Sequence, residues 1–139
     1  MTKLRMFLAA AAFLILAAAA NAQVVVIANP GVSADSVSKA ELAKVFTGAS
    51  TRLSSGARVT PVLLKEGPVH SEFLSNYLGK SPIALIVAWR GLVLSGQAAI
   101  PKTFETEAEM IAYVAKTPGA IGYVGKKPSG EEVKALHVE

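Results

Sequence analysis

Cysteine is absent from this 139-residue chain, and that absence removes three classes at once. No disulfide framework can hold the fold, no thiol can serve as a nucleophile, and no N-terminal cysteine is available for lipid attachment. Histidine is scarce as well, with only His70 and His137. Metal centres recruit three or four convergent ligands and further groups that orient them, so the spacing of Glu66, His70 and Glu72 does not amount to one. The chain also has no G-x-S-x-G elbow, and neither histidine has a serine and an acid at triad spacing. The sequence therefore offers no catalytic constellation and implies no cofactor. Charge of one sign is in short supply too: the formal +4 falls to +2 once Lys3 and Arg5 are set aside, far from the dense basic face of a nucleic-acid binder.

Long apolar runs are missing with one exception. Met1 to Arg5 is a short basic start, Met6 to Ala20 is almost uninterrupted apolar sequence, and Ala20-Asn21-Ala22 follows. This three-part pattern is that of a secretory signal with an A-x-A cleavage site, and the run is shorter than the roughly 20 residues that span a bilayer. Cleavage after Ala22 would leave residues 23–139 as one domain without a membrane anchor. The product would be secreted, and periplasmic where the organism has an outer membrane. The 52% hydrophobic content owes much to this segment. With no disulfide, residues 23–139 must be held by their core alone, which a domain of about 100–150 residues can do.

In that remainder, Val24-Val25-Val26-Ile27 reads as a strand buried on both faces and closed by Asn29-Pro30-Gly31. Ser38 with Glu41 forms a capping-box pattern ahead of a short helix carrying Leu42, Val45 and Phe46, which Gly48 can end. Thr47 to Ala57 is a Gly/Ser/Thr-rich loop. Val59 to Leu64 reads as a second strand, pushed toward an edge by Pro61. Val69 to Leu78 reads as a helix with Val69, Phe73 and Tyr77 on one side. Ser81-Pro82 opens another, with Trp89 expected in the core and Arg90 reaching a carboxylate or helix end. Thr106 and Glu109 repeat the capping box before a helix that must stop ahead of Pro118. Ala120 to Val124 is a strand whose Gly122 marks a close backbone approach, and Val133 to Val138 is a short final strand. Strands separated by helices predict a three-layer α/β sandwich with a mostly parallel sheet.

In such sheets ligands sit where strands lead into helix N-termini. Here that place is Val59 to Leu78, with Lys65, Glu66, Gly67, His70 and Ser71 at the junction. Free backbone N–H groups, the Lys65 charge and the Ser71 hydroxyl suit a small anion. Thr47 and Arg52 in the preceding loop are further candidate anion contacts, although they follow a helix and gain nothing from its dipole.

Several segments together resemble the substrate-binding proteins of phosphate ABC transporters. They are Val24 to Asn29, Leu42 to Gly48, Val59 to Lys65, Phe73 to Leu78 and, most specifically, Thr117-Pro118-Gly119-Ala120-Ile121-Gly122-Tyr123-Val124. The resemblance implies a periplasmic-binding-protein-like domain that binds phosphate or a related oxyanion and works with ABC-type transport. Its protein partners would be an ABC permease or an envelope sensor, with a homodimer as a further expectation. Two departures stand out. The chain is long enough for about one lobe of the family's two-lobed clamp. Where the family has an arginine and a Gly-Ser-Gly-Thr turn, this chain has Lys65 and then Glu66-Gly67-Pro68-Val69-His70-Ser71. A scaffold that has lost the ligand and serves as an envelope interaction module is the alternative expectation.

Overall fold

The structure is a computed structural model that describes residues 24–139. The expected signal segment, residues 1–22, lies outside the described residues.

Strand β1 (Val25–Ala28) is the centre of the molecule. Its β-branched residues suit an environment apolar on both faces, and Val26, Ile27 and Ala28 are all but inaccessible. At its end Asn29 turns inward. Its side-chain amide donates to the Val114 and Ala115 carbonyls at 2.9 and 3.2 Å, and its oxygen accepts from Gly31 N–H. That residue pins the last turn of helix α4 (Glu107–Lys116) to the end of β1. The chain leaving α4 therefore starts beside the end of β1 and can only run back along it. This is why β6 (Ala120–Val124) pairs antiparallel with β1, as does β7 (Lys134–Val138) on the other side.

The five-stranded sheet has the order β2-β7-β1-β6-β3, with β2 at Ser36–Val37 and β3 at Thr60–Pro61. A parallel pair, β4 (Leu63–Leu64) with β5 (Thr103–Phe104), lies beside it. The α/β class holds, but of the four pairings in the five-stranded sheet two are parallel and two antiparallel, and the longest ladders are the antiparallel ones at β1. The sheet is therefore mixed rather than mostly parallel. The predicted single strand from Val59 to Leu64 is two short strands, because its amides alternate between partners. Thr60 and Val62 donate to Gly119 and Ile121, while Leu63 and Lys65 donate to Lys102 and Phe104 on the opposite side. Pro61 falls on that opposite side before β5 begins, where a missing N–H leaves no gap in a ladder.

Successive side chains of β6 point to opposite faces, and this separates the layers. Gly122 faces α4: a Cβ there would lie 2.8 Å from Met110 Sδ and 3.1 Å from Val62. Tyr123 faces α1 (Lys39–Phe46) and α2 (Pro68–Phe73). Its ring stacks on Phe73 at 3.9 Å between centroids, and Phe46 meets both edge-on. Both bonds of the Ser38/Glu41 capping box are present on α1. At α4 Thr106 accepts from Glu109 N–H, but the reciprocal bond of the expected capping box is not formed; the neighbouring Glu107 carboxylate accepts from Gly125 N–H.

The helix expected over Val69 to Leu78 begins as α2 and widens into a π-helical turn at Leu74–Leu78, closed by Gly79 at φ 63°. The wider turn rotates the apolar stripe. His70, Phe73, Leu74 and Leu78 are buried, while Val69 and Tyr77 are half-buried. Helix α3 (Pro82–Leu94) then leaves at 75° to this element. Ser81 caps it, Leu85 and Trp89 are its buried residues, and the Trp89 indole N–H donates to the Phe46 carbonyl at 2.7 Å, satisfying an end-group of α1. Arg90 is exposed and forms no ion pair among the described residues, contrary to expectation. No single described helix is long and apolar enough to cross a membrane.

Two stability predictions follow from these contacts. Glu41 accepts from Ser38 N–H at 2.8 Å and Ser54 N–H at 2.6 Å. Those bonds, first among them the ones from Ser54, hold its pKa at about 2 instead of the ordinary 4.5. Its contribution is complete above pH 4.5 and fades as pH falls toward 2. Glu41→Ala is expected to lower neutral-pH stability by about 1–2 kcal/mol, with the gap to wild type narrowing across that window in urea titrations. Gly122→Ala should cost about 1–3 kcal/mol through the clash with Met110, read as a lowered Tm.

Candidate functional site

The predicted junction is a tight exposed turn between β4 and α2. Lys65 N–H is taken by Phe104, which fixes the turn's start. Gly67 adopts φ 114°, a conformation that side-chain-bearing residues rarely adopt, and Pro68 occupies the first helical position, where a missing N–H does no harm. Ser71 N–H bonds back to the Gly67 carbonyl at 3.0 Å. Among the described residues, no backbone or side-chain acceptor engages the N–H groups of Gly67, Val69 or His70.

Beneath this turn His70 is buried, and its Nδ1 lies 2.5 Å from the Tyr123 hydroxyl. The same hydroxyl accepts from Leu64 N–H at 2.9 Å. Burial pushes the Tyr123 pKa far above its ordinary value of 10, and burial lowers that of His70 below 6.5. Both groups are thus neutral at pH 7. The Tyr123 hydroxyl can thus accept from Leu64 N–H and donate to Nδ1, the arrangement that places the His70 hydrogen on Nε2. Among the described residues no buried side-chain nitrogen or oxygen lacks a partner. Nε2 makes no bond within the fold and so keeps contact with solvent.

A cavity of about 420 Å³ opens at this point, in the corner between α2 and α3. One side is lined by Lys65, Glu66, Gly67, His70 and Ser71. The other is lined by Leu85, Ile86, Trp89, Arg90, Val93 and Leu94 of α3, with Ile100, Pro101 and Thr103 at the far end. Four of the six predicted anion contacts, Lys65, Gly67, His70 and Ser71, are therefore brought together. Lys65 Nζ also sits 3.5 Å from Glu105 in an exposed pair.

Thr47 and Arg52 do not line this cavity. The Thr47 hydroxyl donates to the Ala43 carbonyl at 2.6 Å, and Arg52 Nη1 donates to Gly56 at 3.2 Å in an exposed loop. A second cavity of about 410 Å³ takes their neighbours Gly48, Ser50 and Thr51, but neither of these two. Sequence reasoning missed the importance of Tyr123 and Arg90. A tyrosine within the otherwise apolar Ala120-Ile121-Gly122-Tyr123-Val124 was the available signal, since a buried hydroxyl needs a partner.

No family model matches the chain, and no curated relative does. Solved structures do. A Clostridium perfringens protein described as a phosphate ABC transporter substrate-binding protein, with bound phosphate, is 14% identical with a TM-score of 0.64. PstS from Borrelia burgdorferi is 19% identical at 0.62, and an ABC-type phosphate transport receptor from Vibrio cholerae is 12% identical at 0.62. These matches cover 83–84% of this chain but only 44–47% of the others. The fold is that of phosphate-transport substrate-binding proteins, over somewhat less than half of their length.

Proposed function

We propose that this protein is an extracytoplasmic binding protein for a small oxyanion, phosphate or a relative of it, associated with ABC-type transport. The observation that carries this reading is the convergence of Lys65, His70 and Ser71 on one cavity, beneath a turn with unengaged amides. The fold it shares with phosphate-transport proteins supports the same reading. An ABC permease is the partner that this role requires, and binding rather than catalysis is the activity.

The magnitude of binding follows from one-sided contact. Two to four charge-assisted hydrogen bonds at about 1.5–3 kcal/mol each work against an association cost of about 4 kcal/mol or more. The Glu66 charge beside the turn opposes an anion, and Pro68 withholds an N–H. A single copy is therefore expected to bind inorganic phosphate at roughly millimolar, where −4.1 kcal/mol lies. A second copy or a partner protein closing over the turn would supply the missing contacts.

A second reading, an envelope interaction module, is favoured by one observation: Ile83, Ile86, Val87 and Leu94 of α3 are exposed. It requires a stable complex with a partner protein and no response to anions.

Titration calorimetry of the purified protein with phosphate, sulfate and molybdate tests the main reading, which requires a saturable heat for at least one of them. Lys65→Ala should weaken that binding by about tenfold, the equivalent of one charge-assisted bond, while Arg52→Ala leaves it unchanged. Absence of heat and of any thermal shift at several millimolar would overturn the reading.

A further inference from the structure

The cavity is larger and more apolar than an inorganic anion requires. Its 420 Å³ equals the space of about fourteen waters at ~30 Å³ each, whereas phosphate has five heavy atoms. Its size falls within the roughly 300–1,000 Å³ of organic-ligand sites. Opposite the polar turn stands a continuous wall of Ile86, Trp89, Val93, Leu94 and Ile100. Ile86, Leu94 and Ile100 are 55, 81 and 70% exposed, so the apolar surface is there for a ligand to cover. The charge on the lining is modest. Lys65 and Arg90 face one carboxylate, Glu66, and Lys65 is shared with Glu105. Such a set holds one negative charge better than two, and leaves much of the binding energy to the wall.

We infer that the cavity takes an organic monoanion, an oxyanion head seated at Lys65, His70 and Ser71 with an alkyl or aryl body lying on the α3 wall. This rests on the oxyanion reading of the same site and adds the class of ligand. Each methylene that reaches the wall should tighten binding about fourfold. Three of them give a gain on the order of fifty-fold over the bare head.

The test titrates the protein at about pH 5.5, where phosphate, its octyl ester and octanoate are mainly monoanions, with octyl phosphate, octanoate, inorganic phosphate and octanol, below micelle-forming concentrations. Calorimetry is paired with fluorescence of Trp89, the chain's one tryptophan. The expected result is that the two octyl anions bind at least about fifty-fold more tightly than inorganic phosphate, with a change in Trp89 emission, and that octanol does not compete. Ile86→Ser and Ile100→Ser, both at exposed positions, should remove most of the gain while leaving inorganic phosphate unaffected. Equal affinity for octyl phosphate and inorganic phosphate would overturn this inference and leave the oxyanion reading standing. Binding of octanol as tight as that of octanoate would overturn the inference, and binding of no anion at all would overturn both. A dimer that persists at micromolar concentration and dissociates in the Ile86→Ser protein would assign the wall to a second copy, and would also overturn the inference.

Discussion

One hydroxyl ties the sheet to the functional corner. Tyr123 stands on the most buried strand, stacks on Phe73, and uses its single oxygen twice, as acceptor for Leu64 N–H and as hydrogen-bond partner of His70 Nδ1. The first bond replaces the ladder contact that β4 loses when its amides turn toward β5. The second holds the ring of a histidine that lines the cavity. A buried oxygen with two partners has little freedom. The turn between them, Lys65 to Ser71, is thereby anchored at its entry by Leu64 and at its exit by His70.

Much of the scaffold was readable in the sequence because it depends on local chemistry. Ser38 and Glu41, Ser81 and Pro82, and Gly122 each announce a cap or a close approach by residue type alone, and each has that role in the fold. What could not be read depends on distant partners. Nothing near Val59 to Leu64 signals that its amides divide between β6 and β5, and nothing near Asn29 signals that it caps a helix more than eighty residues away. The π-helical turn after Phe73 depends on how Leu74 and Leu78 pack, which a period of 3.6 does not encode. The site shows the same division. The turn was found from its position after a strand, whereas the α3 wall opposite it exists only because α3 departs at 75° and leaves its apolar face uncovered.

The solved structures that share the fold are about twice as long, and an anion held from one side keeps part of its hydration. On our reading, the uncovered face of α3 excludes water from one side of the ligand, so that the low charge of the lining and the breadth of the apolar wall work together.

The central claim is that the turn before α2 is where an anion binds. Amide-resolved NMR during an anion titration tests it most directly. The account predicts saturable shifts that share one affinity and concentrate on the backbone N–H groups of Gly67, Val69 and His70 and on the His70 ring. Shifts confined to the Thr47 to Arg52 loop, or scattered over the surface without saturation, would contradict it.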